Sequence, residues 1–282
     1  MKNILYTILY SFKEIKNSKI FYFFLIFALI LISGSYFVSQ ISFINEGRIM
    51  VDFSIFSITI FNVFIGIFIG SSVIYDDIEK KSIFLSITRP VKRVDYLLGR
   101  VFGLAVAVVF STIIMMIIFY GVLLLMHKFV IPARPGAHFS ILLLPQPVII
   151  QAVFIIVESV FISAVSILFS LITSKALASI LSILIFFIGN TSSKMNALVR
   201  PVRGIINGKL QIIHRPNHVL AAIVHFIYAV LPNFSVFNVS TQAAYKVFLS
   251  GRMISNAIVY GISYIVVILI IASLIFLRKD LS

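Results

Sequence analysis

The chain has no cysteine, no tryptophan and only nine acidic residues among 282. Without thiols there is no disulfide scaffold, no thiolate metal site and no cysteine nucleophile. Charged residues of both signs make up 11% of the chain, where an ordinary soluble domain carries about 25%. Catalytic signatures are missing as well. No G-x-x-x-x-G-K-[ST] occurs, so a phosphate-cradling loop is not expected on this chain. Gly189-Asn190-Thr191-Ser192-Ser193-Lys194 looks superficially similar but lacks the second glycine and the Lys-Ser/Thr pair. Neither H-E-x-x-H nor G-x-S-x-G is present. His127, His138, His214, His218 and His225 fall in or near segments expected outside the membrane. His214 and His218 are four apart, but Pro216 lies between them and no carboxylate is near. No catalytic residue, metal site or resident cofactor is therefore expected.

What the chain does have is apolar length. Hydrophobic residues account for 61% of it and the mean hydropathy is +1.13, too apolar for one water-soluble core. Crossing a bilayer takes about 20 apolar residues in a helix. Six stretches qualify: Ile20–Ile41, Phe53–Tyr75, Val101–Met126, Val148–Thr173, Ala176–Thr191 and Ala257–Leu277. The fold expected is an all-α membrane protein of six transmembrane helices, forming one domain over residues 1–282. The net charge of +14 could suggest nucleic acid, but most basic residues lie in short segments beside the apolar runs. That is the pattern of topology determinants and lipid headgroup contacts. With the N-terminus cytoplasmic, thirteen Lys and Arg fall inside, three in the short outer loops and seven in one long outer loop. Loops near 60 residues largely escape the positive-inside rule, so both termini are expected in the cytoplasm.

Residues 1–19 carry a second pattern. Ile4, Leu5, Ile8, Leu9, Phe12 and Ile15 fall on one arc of about 140° at 100° per residue. This predicts an amphipathic helix lying in the cytoplasmic leaflet ahead of the first span. A cleaved signal peptide fits less well, because the charged lead-in is long, the following apolar run has span length and no A-x-A site follows. Residues 192–256 form the large outer loop between the fifth and sixth spans. Within it Val219–Val230 is apolar but too short to span, which favours a re-entrant or interfacial helix over a small external subdomain.

Residues 76–100 are the most informative. Asp76, Asp77 and Glu79 give way to a basic run, and Ile83, Phe84 and Ile87 share one helical face. Pro90 then ends any helix, since it lacks an N–H and restricts Arg89. A short amphipathic helix at the end of a span is suited to docking on a soluble partner. A solvated loop obeying the positive-inside rule explains the same composition equally well. Glu79 to Gly99, E-K-K-S-I-F-L-S-I-T-R-P-V-K-R-V-D-Y-L-L-G, resembles the signature of ATP-binding-cassette permeases of the second exporter type. The matching positions are Glu79, Ser82, Pro90, Arg93, Tyr96, Leu97 and Gly99, with Arg100 where the family usually has lysine. Lys81 departs from the glycine often found there. The amphipathic N-terminal helix, the six spans, Leu231-Pro232-Asn233-Phe234 and the tail Leu277-Arg278-Lys279-Asp280-Leu281 agree with that resemblance.

The resemblance implies a permease subunit in the bacterial cytoplasmic membrane, paired with a second protomer and with a separate ATPase that carries ATP and magnesium. It implies that residues 76–87 form a coupling helix. Glu79, Arg89 and Arg93 would then be its polar contacts with the ATPase, and Ile83 and Phe84 its apolar anchors. Two polar residues fall inside expected spans. Glu158 costs about 2.5–3.5 kcal/mol or more if ionised there. It is read as a buried structural acid ahead of a substrate-path or proton-relay group. Asn62, like Asn190, is read as a helix–helix hydrogen-bonding group. The alternative function is a secondary transporter or channel built on Glu158, but such proteins need charges on several spans or an inverted repeat.

Overall fold

The computed structural model describes residues 2–40, 46–79, 93–129, 146–199, 202–206, 209–214, 231–245 and 247–279, together with 221, 222, 224 and 226. Six helices are long and apolar enough to cross a membrane. The elements are α1 (Lys2–Lys16), α2 (Lys19–Gln40), α3 (Glu46–Glu79), α4 (Arg93–Phe129), α5 (Gln146–Ile172) and α6 (Lys175–Leu198). There follow β1 (Val202–Ile206), β2 (Lys209–His214), a 3-10 turn (Phe234–Phe237), α7 (Ser240–Tyr245) and α8 (Gly251–Arg278). The six long helices, α2 to α6 and α8, correspond to the six apolar stretches.

Two of them far outrun the expected spans. α3 has 34 residues and α4 has 37, which at 1.5 Å per residue is about 51 and 55 Å. A hydrocarbon core is only about 30 Å thick. The second and third spans expected at 53–75 and 101–126 are therefore only the apolar middles of longer rods. Asp76, Asp77 and Glu79 form the last turn of α3 rather than opening a separate short helix. The rest of the expected coupling helix, with Ile83 and Phe84, lies outside the described residues, as do Arg89 beyond it and most of Val219–Val230.

The chain forms two compact units, residues 1–182 with 237–282, and residues 183–236. The first is built around α3, two-thirds of whose apolar window is buried (67%), whereas α8 has only 11% buried. An α-helix surrounded by other helices reads as apolar all round, and α3 does. On one side Phe24 of α2 stacks at 5.3 Å on Phe68 and meets Phe61 and Phe64, so α2 and α3 run antiparallel. Ser54 donates to Ser35 at 3.0 Å further along the same pair. On another side Gly66 and Gly70 let α5 approach closely. A Cβ at Gly66 would come within 2.9 Å of the Ser159 carbonyl, and one at Gly70 within 3.1 Å of the Ser163 carbonyl. Ser166 donates to the Ile67 carbonyl at 2.7 Å across this seam. Small residues four apart have this role in membranes, where close backbone packing replaces the missing hydrophobic driving force.

α8 lies beside α5. A Cβ at Gly261 would collide with Val157, and Tyr264 packs on Phe161 at 5.6 Å. At the start of α5, Gln151 accepts from the Val239 N–H at 2.7 Å and Gln146 accepts from the Leu249 N–H at 3.3 Å. Val239 and Leu249, on either side of α7, are thus held against that helix by side-chain bonds to their backbone N–H groups.

Within the second unit, β1 and β2 pair antiparallel, a departure from the wholly helical expectation. Asn233 Oδ1 accepts from the Ser235 N–H at 3.1 Å, from Ser235 Oγ at 2.6 Å and from Ser192 Oγ at 3.2 Å. Such a local side-chain turn is the usual work of asparagine before a helical turn. It sets Phe234, which is fully buried, against Phe186 at 6.4 Å between ring centroids. A Cβ at Gly189 would meet the Phe234 ring, so the glycine is needed for that approach.

Candidate functional site

The polar chemistry of the first unit gathers at the end where α3 finishes and α4 begins. Three acids, Asp76, Asp77 and Glu79, stand in the final turn of α3. The macrodipole is negative there, so acids destabilise a helix C-terminus unless cations answer them. Two cations do so. Lys175, at the start of α6, places Nζ 3.1 Å from both carboxylate oxygens of Asp76. Arg100, on the second turn of α4, pairs through Nη2 with Asp77 Oδ2 at 2.5 Å.

Arg100 is 3% exposed and Asp77 is 9% exposed, so this pair has left water. The other two nitrogens of Arg100 have partners as well. Nε donates to Tyr96 Oη at 3.1 Å, Nη1 bonds to Glu14 Oε2, and Nη1 also lies 3.5 Å from Ser11 Oγ. Tyr96 Oη in turn donates to Asp77 Oδ2. The Tyr10 and Tyr96 rings flank the guanidinium at 5.5 and 5.4 Å. A buried ion pair holds together only when its remaining hydrogen-bonding capacity is met, and the planar, five-donor guanidinium is suited to that.

This cluster joins α1, α3 and α4. α1 runs along α4 in the same direction, with Thr7 at Gly99, Ser11 at Gly103, and Phe12 and Lys16 at Phe110. A Cβ at Gly99 would strike Thr7, and one at Gly103 would strike Ser11 and lie 3.1 Å from the Ile8 carbonyl. The expected apolar arc of α1 is divided. Ile15 and Ser11 are buried and Ile8 and Phe12 half-buried, whereas Leu5 and Leu9 are exposed beside Tyr6 and Tyr10. The packed face is rotated toward the small polar residues because α4 offers glycines there, not pockets for leucine.

The same end holds the last helix. Arg93 Nη1 lies 3.2 Å from the Lys279 carbonyl and 3.4 Å from that of Leu277, and Lys279 Nζ donates to the Leu171 carbonyl at 2.7 Å. These are cations on carbonyls at helix C-termini, the favourable sense of the dipole. Of the expected partner-contact residues, Glu79 is exposed at the end of α3 and Arg93 opens α4 with its guanidinium turned to the end of α8.

The intramembrane pair lies elsewhere. Asn62 is fully buried, donates to the Ile58 carbonyl at 3.1 Å and to Met115 Sδ at 3.4 Å, and accepts from Ser111 Oγ. It therefore links α3 to α4. Asn190 Nδ2 donates to the Phe186 carbonyl of its own helix at 3.2 Å. Glu158 is buried at 2% exposure on α5. Among the described residues no group of His, Cys, Asp and Glu could hold a metal ion.

Sequence reasoning missed Arg100, Asp77, Glu14 and Tyr96 as a unit. Two signals were available: Gly99-x-x-x-Gly103, and Tyr96 one turn before Arg100. Within and just after the Glu79–Gly99 stretch, Tyr96, Gly99 and Arg100 all face α1 or α3, while Leu97 is fully buried. Comparison with protein-family models finds no match for this chain, and comparison with curated proteins finds none either.

Proposed function

We propose that the chain is the membrane subunit of an ATP-binding-cassette exporter of the second type, acting in the bacterial cytoplasmic membrane with both termini inside. The observation that carries this reading is the Glu79–Gly99 signature, which joins two helices that each outlast a bilayer. Helices longer than the hydrocarbon core offer a way to carry force between a soluble partner and the spans.

Two protomers enclose the path, and each docks a separately encoded ATPase through the coupling segment, residues 76–99. Ile83 and Phe84 supply apolar anchors, and Glu79, Arg89 and Arg93 supply polar contacts. ATP and magnesium stay on the ATPase. Closure of the ATPase pair displaces residues 80–92 and, through α3 and α4, shifts the spans to open or close the path. The exposed Leu5, Tyr6, Leu9 and Tyr10 of α1 meet the cytoplasmic leaflet, an arrangement of apolar and amphipathic side chains suited to the interface. The test is affinity purification of the tagged chain in mild detergent with mass spectrometry of what accompanies it. A stoichiometric ATPase with a phosphate-binding loop, lost when Glu79 and Phe84 are replaced by alanine, is the expected result. A chain that purifies alone, under conditions that preserve other such complexes, contradicts the reading.

A further inference from the structure

We infer that Arg100 is a positioning residue that locks α1 to the paired stems of α3 and α4, so that α1 and the residues flanking 80–92 move as one body. Three observations carry this. Arg100 is almost completely buried, yet its Nη1 reaches α1 and its Nη2 reaches α3, the two helices beside its own. Gly99 and Gly103 remove the side chains that would hold α1 at a distance. Asp77 sits at a helix end that disfavours acids, so its position requires the cation.

α1 is tied onward to the first span. Asn17 and Ser18 form a tight turn, and Ser18 Oγ accepts from the Phe21 N–H at 3.1 Å, capping α2. A displacement of the α3 and α4 stems is thereby delivered to α2 through α1 as well as through direct packing. The source of such a displacement rests on the function proposed above. The lock does not, and it can be tested on this chain alone.

The absence of native cysteine allows spin labels at chosen positions only. Labels at Tyr6→Cys and Val106→Cys, both exposed, report the distance between α1 and α4 in lipid nanodiscs. A second pair at Phe56→Cys and Ile113→Cys reports α3 against α4 as a control. Arg100→Met is expected to broaden the first distribution roughly twofold while leaving the control unchanged, because near the control labels α3 and α4 stay joined through Asn62, Ser111 and Met115, whereas α1 gains local freedom on losing its ion pair. Inverting the cluster, as E14R/D77R/R100E, is expected to narrow it again, which a purely steric role for Arg100 does not explain. A narrow first pair in Arg100→Met overturns the inference, and so does failure of the inverted triple to restore it with the control intact. If Arg100→Met disturbs the control pair, Glu14→Gln decides: broadening of the first pair supports the lock, and an unchanged distribution overturns it.

Discussion

Removing the Arg100 side chain's charge leaves Asp77, whose side chain is 12% exposed, without its cation at the negative end of a helix. Leaving one partner of a buried pair unpaired costs about 3–5 kcal/mol. Arg100→Met is therefore expected to lower the unfolding midpoint of the purified chain clearly, and Arg100→Lys to lower it less, since lysine keeps the charge but loses the fork. The Asp76–Lys175 pair is far more open, at 34% and 40% exposure, and exposed pairs are worth about 0–1 kcal/mol and are screened by salt. Lys175→Met should have a small effect that vanishes at high ionic strength. Asn62 is a different case. Its bonds run between helices inside the apolar middle, where such bonds average about 0.6 kcal/mol, so Asn62→Leu should cost little in thermal stability. A loss comparable to that of Arg100→Met would show that Asn62 holds more than Ser111 and Met115.

At the scale of elements, the seams depend on missing side chains as much as on present ones. Gly103→Val puts branched carbons where Ser11 and the Ile8 carbonyl already sit, which forces α1 away from α4 along this seam. Hydrogen exchange should show α1 opening while α5, packed through Gly66 and Gly70, stays protected. On the opposite side, Gln151→Leu removes the acceptor for the Val239 N–H. Residues 237–249 should then exchange faster, with the long helices unchanged.

The spans themselves were legible because hydropathy is an additive property of a run, and six runs were long enough. Their ends were not. Asp76, Asp77, Arg93, Asp95 and Arg100 lower the hydropathy of the flanks, but charges do not stop a helix, so α3 and α4 continue beyond the apolar middle. The Arg100 cluster was invisible for another reason: its partners Asp77 and Glu14 are 23 and 86 residues away along the chain. Only folding brings them together, although the glycine spacing of α4 hinted at a helix packed on that face. The Leu-Pro-Asn-Phe segment carries no hydropathy signal of its own, and its physics lies in the fold: an asparagine turn that buries a phenylalanine.

For the whole molecule, the charge distribution predicts which side each end occupies. A single cysteine at Glu79 should react with a membrane-impermeant maleimide only after the cell is opened, and one at Asn238, also exposed, should react in intact cells. The account's central claim is that the segment of residues 76–99 docks on an ATPase, and the most direct measurement is a photo-crosslinker placed at Phe84 in living cells. The account predicts one dominant adduct, an ATPase bearing a phosphate-binding loop, with none when the crosslinker stands at Val259, an exposed residue of the last apolar helix. Adducts with lipid alone at Phe84, or none to any ATPase, would contradict it.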